Sequence, residues 1–162
     1  MDQKVTTLRE CFKEFLAVEN LEGNNKWYCP TCKDHVQATK KFDLYRLPRI
    51  LVIHLKRFQQ AGYRIRSKIS AQVDFPWRHD DLLDLTDLCQ SPLARYRLFA
   101  ICNHFGTLSG GHYTARAKSL VDGKYVWHKY DDSHVTLLGR EDQLNEDELV
   151  NPSAYVLFYE QA

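Results

Sequence analysis

At 162 residues, with 44% hydrophobic and 12% aromatic side chains, the chain is long enough for an ordinary globular core. Charged residues make up 27% and the formal net charge is +1, so no strong field exists to recruit nucleic acid or an anionic membrane. No apolar run nears the roughly 20 residues that cross a bilayer, and the start MDQKVTTLRE lacks signal-peptide character, so a soluble protein of the cytoplasm and/or nucleus is expected.

Thr7-Leu8-Arg9-Glu10 has the form of a capping box, and Leu8, Cys11, Phe12, Phe15 and Leu16 recur at helical spacing, which predicts an amphipathic helix from Leu8 to about Val18. Gly23, Asn24 and Asn25 end that unit. Cys29-Pro30-Thr31-Cys32 follows as a C-x2-C knuckle, whose two thiolates can reach one tetrahedral zinc ion, although a closed structural site needs four ligands. His35 is a possible third. The rival reading, a redox dithiol, calls for a strand before the motif and a helix beginning at it. Here a predicted helix precedes, and residues 33–41 carry no apolar helical stripe, so zinc is favoured. Five cysteines with a single close pair otherwise read as reduced thiols.

From Lys41 the hydrophobic period changes to two. Phe42, Leu44 and Tyr45, then Ile50 to Phe58, read as strands broken at Leu47-Pro48, and the second is apolar on both faces at its start, as expected of a central strand. Tyr63 to Arg66 and Ala71 to Phe75 suit the arms of a hairpin stopped by Pro76. Asp80 to Pro92 is an acidic, leucine-rich connector, with Cys89 as a packing residue. Arg95 to Asn103 resumes a strand. Val135 to Leu138 and Ala154 to Tyr159 are further strands, and Glu141 to Val150 carries helical polar residues around Leu144 and Leu149. The strands are mostly antiparallel candidates, so the expected class is α+β, with helices at the edges of a β-rich body.

The chemistry concentrates between Asn103 and Asp132. Gly106, Gly110 and Gly111 form a glycine-rich loop that permits close approach of another chain, and it leads directly into His112. If residues 115–118 and 124–130 pair as antiparallel strands about the Asp122-Gly123 turn, Asp131 comes beside His112. A lone strand histidine is more often structural. A histidine that takes a proton from a nucleophile, with a carboxylate fixing its tautomer, is the arrangement of Cys/His and Ser/His hydrolases. Asp132 is expected on the opposite strand face from Asp131, as a nearby polar support.

The segments N-H-F-G, G-G-H-Y-T-A, W-H-K-Y-D-D-S-H-V and A-Y-V-L-F-Y resemble the histidine-box half of the ubiquitin-specific proteases, the papain-like cysteine deubiquitinases. W-Y-C-P-T-C-K…Q-A-T-K-K and L-P-R-I-L-V-I-H-L-K-R-F resemble the zinc-finger arm and following strands of the same family, and the order agrees. By this resemblance residues 1–46 are part of the fingers with half a zinc site, and residues 47–162 are the palm with the histidine box. The thumb carrying the nucleophile is absent, because none of Cys11, Cys29, Cys32, Cys89 or Cys102 lies in the N-T-C-Y or N-T-C-F context that opens a helix upstream in the family. Cys29 and Cys32 would bind Zn2+ with two cysteines from the other half, as in members with a large insert.

The resemblance further implies hydrolysis of the isopeptide bond at the ubiquitin C-terminus, with His112 as base, Asp131 as its orienter and Asp132 beside it. Tyr113, Gly110, Gly111 and Asn103 would wall a channel for the glycine tail, with Phe58 and Arg57 near its approach. The expected partners are ubiquitin, ubiquitinated proteins and the N-terminal half of the catalytic domain, with no nucleic acid and no membrane. A ubiquitin-binding module without activity is the alternative, and a free-standing zinc knuckle explains only the first forty residues.

Overall fold

The computed structural model describes residues 5–58, 68–89, 94–107 and 110–162. Its elements in chain order are β1 (Thr6–Thr7), α1 (Leu8–Phe15), β2 (Glu19–Leu21), β3 (Trp27–Cys29), β4 (Asp34–Val36), β5 (Ala38–Lys40), β6 (Ile50–His54), β7 (Val73–Asp74), β8 (Leu83–Asp84), β9 (Arg95–Gly106), β10 (Gly111–Val121), β11 (Lys124–Asp131), β12 (His134–Gly139) and β13 (Ala154–Gln161). The body is an antiparallel sheet in the order β12-β11-β10-β9-β13-β6, with β8 pairing on β9 as its seventh strand.

The capping box forms: the Glu10 amide donates to Thr7 Oγ1 at 3.2 Å, and the Thr7 amide donates to Glu10 Oε2 at 2.8 Å. α1 stops at Phe15, three residues short of the predicted end, because Glu19–Leu21 is drawn into pairing with Ala38–Lys40, where Glu19 and Lys40 face each other at 2.8 Å. Leu8 alone of the helix is fully buried, and Phe15 stacks outside on Phe42.

One face of the sheet builds the core. Cross-strand partners share a face, and the sets Ile53, Leu157, Ile101 and Leu51, Tyr159, Leu98 line up across β6, β13 and β9. They pack with Trp127, Leu144, Leu149 and Val150 in one buried cluster. The acidic connector contributes more than a turn, since Leu83 and Leu85 are buried in that cluster and β8 pairs with the start of β9.

Three expectations are corrected. β6 lies at the sheet edge rather than in its centre, and the half of its apolar set that predicted a central strand, Ile50 and Val52, is exposed. β7 pairs in parallel with β1. The proposed hairpin arm at residues 63–66 lies outside the described residues, as do residues 90–93 of the connector and 108–109 of the glycine loop. Residues 141–150 form two short 3-10 turns, Glu141–Gln143 and Glu146–Glu148, instead of a helix. Each is closed locally by a side chain that accepts from a backbone amide, Gln143 from Arg140 and Glu148 from Asn145, which competes with helix propagation. Among the described residues no helix is long and apolar enough to cross a membrane.

Candidate active site

β9 and β10 form a hairpin whose closed end is the glycine loop. Gly106 stands opposite Gly111, and the Thr107 amide donates to the Gly110 carbonyl at 2.9 Å. Two glycines there are sterically required. Gly106 has φ +114°, and a Cβ on it would lie 2.7 Å from Gly110 O; a Cβ on Gly111 would lie 2.3 Å from His104 Nε2 and 2.5 Å from Phe105 O. Gly110 meets nothing within 4 Å.

β10 and β11 pair as expected, with Ala115 opposite Tyr130 and Val121 opposite Lys124. One step past Ala115 and Tyr130, Thr114 and Asp131 are opposed, so His112 and Asp131 are diagonal neighbours on one face. His112 Nε2 lies 2.6 Å from Asp131 Oδ1. A carboxylate only accepts, so Nε2 carries the proton and Nδ1 is left as an acceptor. Lys129, two residues back on the same face, donates from Nζ to Asp131 Oδ2 at 2.9 Å. The His112 contact first, and Lys129 second, hold the Asp131 carboxyl below its ordinary pKa. The His112 side chain is 49% exposed, open to an incoming group.

Strand alternation placed Asp132 on the far side, and the chain does otherwise. β11 ends at Asp131, and Asp132 adopts φ +51° at the start of the turn into β12, a conformation that aspartate tolerates. Its carboxylate thereby stays with His112 and Asp131, one ligand-type atom from each lying within 4.8 Å of the others.

Behind the loop, His104 is buried under an aromatic roof, its ring centroid 4.7 Å from Tyr113, 5.5 Å from Tyr155 and 5.6 Å from Phe58. Its Nδ1 is buried without a partner among the described residues. Tyr113 is 54% exposed and Phe58 half-buried, so both present ring surface around His104, on the opposite face of β10 from His112.

Asn103 and Arg57 are placed differently from surface-facing binding residues. Asn103 is fully buried; Arg116 donates to its Oδ1 at 2.6 Å, and its amide nitrogen donates to Ser153 Oγ at 2.8 Å. Arg57 is also buried and donates to the carbonyls of Ala154, Ile69 and Ala71 at 2.7, 3.1 and 2.6 Å, tying the end of β6 to the start of β13. Both are buried and brace the backbone by these hydrogen bonds.

His104, Tyr155 and Lys129 had no assigned role in the sequence. Lys129 was findable, since a strand residue two before Asp131 shares its face. Tyr155 sits in the bulge between β13 and β9, where the register shifts, so alternation gave no signal.

Cys29 and Cys32 flank the turn between β3 and β4, and the Cys32 amide donates to Cys29 Sγ at 3.5 Å. That amide is the first cause lowering the Cys29 thiol pKa, which favours the thiolate a metal requires. His35 pairs with Tyr28 across the hairpin, on the opposite face from Cys29, and its ring packs against Tyr28 at 5.3 Å. Cys102 stands opposite Ala115 on β9, about 10 Å along the ladder from His112 at the usual strand rise. Burial raises the thiol pKa of both Cys102 and Cys11, the wrong direction for a nucleophile.

A model of the ubiquitin carboxyl-terminal hydrolase family matches residues 4–159. The chain is 46% identical over 156 residues to ubiquitin carboxyl-terminal hydrolase 15 of Bos taurus, covering 94% of this chain and 15% of that protein. It is 45% identical over 157 residues to ubiquitin carboxyl-terminal hydrolase 10 of Arabidopsis thaliana, covering 97% of this chain and 16% of the relative. The chain thus spans less than a fifth of the length of these relatives. Among solved structures, it resembles a chain of the yeast SAGA DUB module with Sgf73, with a TM-score of 0.73, 28% identity and coverage of 97% of this chain and 33% of that one. A SAGA DUB module of Ubp8, Sgf11, Sus1 and Sgf73 bound to monoubiquitin gives a TM-score of 0.72 at 28% identity, with coverage of 99% and 34%.

Proposed function

The chain belongs to the ubiquitin carboxyl-terminal hydrolase family, and we propose that it supplies the base and its orienter to a thiol-dependent deubiquitinase whose nucleophile comes from another polypeptide segment. The observation that carries this is the 2.6 Å contact between His112 and Asp131 on a ring half open to solvent. With Nε2 donating to Asp131, His112 Nδ1 receives the proton of an incoming cysteine thiol. The thiolate attacks the carbonyl of ubiquitin's last glycine, and the imidazolium then protonates the departing lysine amine. Asp131 fixes the tautomer and stabilises the transient cation. Asp132 and Lys129 keep the local charge near balance.

The ubiquitin tail ends in two glycines, so a channel too narrow for side chains selects it. Tyr113, Gly110, Gly111 and Phe58 are its walls, His104 and Tyr155 are the floor that holds Tyr113 in place, and Asn103 and Arg57 position the strands from behind. Residues 1–46 would belong to a finger arm and residues 47–162 to the palm, with the thumb on the missing segment. Cys29 and Cys32 would supply two of four ligands to a structural zinc ion. Their shared turn and the amide donated to Cys29 sulfur fit that part, and the other two ligands would come from the completing segment.

An activity probe bearing ubiquitin's C-terminus tests the proposal. Incubated with this chain and a cysteine-bearing segment of a relative, it should label that segment and leave this chain unlabelled, and His112→Ala should abolish labelling. Modification of any of the five cysteines here would defeat the assignment of an external nucleophile.

A further inference from the structure

The carboxylate of a histidine–aspartate pair is useful only when it is fixed, because the imidazole takes its tautomer and orientation from it. Asp131 is the last residue of β11, and 35% of its side chain is exposed. The terminal torsion of an aspartate is broad and roughly two-fold, so a carboxylate this open turns freely unless both oxygens are engaged. Among the described residues each oxygen has one partner. Oδ1 meets His112 Nε2 at 2.6 Å, and Oδ2 accepts from Lys129 Nζ at 2.9 Å. Both partners are side chains, so the far oxygen depends on the lysine.

The strand places Lys129 for this. Residues two apart on a strand share a face, so Lys129 runs alongside Asp131 instead of across from it. Its cross-strand partners are Arg116 on β10 and Thr136 on β12. Arg116 is directed to Asn103 Oδ1 at 2.6 Å, and Lys118, further along β10, pairs with Glu141 at 3.2 Å. Among the described residues, Lys129 is therefore the cation that anchors Oδ2.

Charge adds to geometry. The ionisable groups that face Asp131 are His112 and Arg116 on β10, Lys129 on its own strand, His134 opposite it on β12, and Asp132 in the turn. His112 first, and Lys129 second, hold the Asp131 carboxyl below its ordinary pKa. Two carboxylates beside one imidazole favour the imidazolium, which has no lone pair with which to take a proton from a thiol. Lys129 supplies the opposing charge.

We propose that Lys129 is a positioning residue: it pins Oδ2 so that Oδ1 fixes the Nε2–H tautomer of His112, and its charge favours the neutral ring that accepts a proton. This rests on the base-and-orienter function proposed above for its effect on rate, whereas the tautomer is a property of this chain alone.

The tautomer is read in the full 162-residue chain, labelled with 15N at histidine, from long-range 1H–15N correlations, the His112 signal being identified by its loss in His112→Ala. The wild-type ring should be the Nε2–H tautomer, Lys129→Met should give a mixture, and Lys129→Arg should restore the single form. Each variant should melt within about 2 °C of wild type, because an exposed ion pair contributes little stability. Rates are measured with a fluorogenic ubiquitin amide after adding the part of the bovine relative's catalytic domain that precedes the matched region. Lys129→Met should lower kcat about tenfold, less than the roughly 100-fold of a 1 Å misplacement, with KM changed by less than about twofold. Lys129→Arg should recover most of that loss. The acid limb of kcat/KM should move to higher pH in Lys129→Met and to lower pH in Asp132→Asn, since the two remove opposite charges.

If Lys129→Met keeps the single tautomer and the wild-type pH profile, the positioning role is overturned and the enzymatic reading stands. Equal losses of kcat in Lys129→Met and Lys129→Arg, with the acid limb unmoved, overturn it as well. If the tautomer depends on Lys129 but the wild-type mixture never hydrolyses, the positioning role stands and the enzymatic reading falls.

Discussion

Gly111→Ala is the most informative single change, because it joins packing to catalysis at one atom. The added Cβ would stand 2.3 Å from His104 Nε2 and 2.5 Å from Phe105 O, short of ordinary contact by roughly 1 Å. His104 cannot yield easily, since Tyr113, Tyr155 and Phe58 enclose its ring. Overpacking of this kind costs about 1–3 kcal/mol, which in a domain of this size lowers Tm by about 2–12 °C. Relief comes most readily by moving the start of β10, where His112 is the next residue, and a 1 Å misplacement of a catalytic group costs on the order of 100-fold in rate. Gly110→Ala is the control, because a Cβ there meets nothing within 4 Å, and it should shift Tm by no more than a degree or two. Thermal melting of the chain alone measures the first effect, and fluorogenic ubiquitin hydrolysis with a completing segment measures the second. Equal Tm values for the two variants would refute the steric argument, whatever the rates.

Asp131→Ala should lower turnover by about 100-fold or more through loss of the tautomer-fixing contact, and Asp132→Ala by less than tenfold; comparable losses measured by steady-state kinetics would reverse their roles. Arg57→Met leaves three carbonyls without their donor, so urea denaturation should register a loss of about 3 kcal/mol or more, and a near-neutral result would show that those carbonyls find other partners. Burial first, and Lys68 second, depress the His104 pKa. The unfolded chain therefore takes up that proton first, and stability falls as pH drops below about 6.5. His104→Phe removes the group, so the loss of stability between pH 7.5 and 5.5 should shrink, and an undiminished loss would assign the slope elsewhere.

The local signals in the sequence were read well where a residue type has one strong physical use. The capping box at Thr7, the Asp122-Gly123 turn and the strand periods flanking it led to the correct pairing of β10 with β11, and with it to the neighbourhood of His112 and Asp131. Periodicity misled in two places, for different reasons. At residues 141–150 the polar residues around Leu144 and Leu149 suited a helix, but Gln143 and Glu148 bond to nearby amides and stop each turn after three residues. At β6 the two-sided apolar pattern suggested a strand covered on both faces, but β6 is an edge strand and the Ile50 and Val52 half of its apolar set is exposed. Asp132 was expected nearby but on the wrong face, because strand alternation ends where φ turns positive. Asn103 and Arg57 stand in the segments that resemble the family, yet sequence cannot say whether such a residue faces a ligand or braces the strand behind it.

That error at β6 bears on function. A strand apolar on both sides at the edge of a sheet is a poor surface to leave in water, because it exposes both a hydrophobic face and unpaired backbone groups. The histidine–aspartate pair is a separate matter. Tyr113 belongs to that open face of the sheet, whereas His112, the residue before it, turns to the other face with Asp131. The exposed apolar face and the half-exposed imidazole ring are therefore reached from different sides, and a surface that meets one does not by itself reach the other.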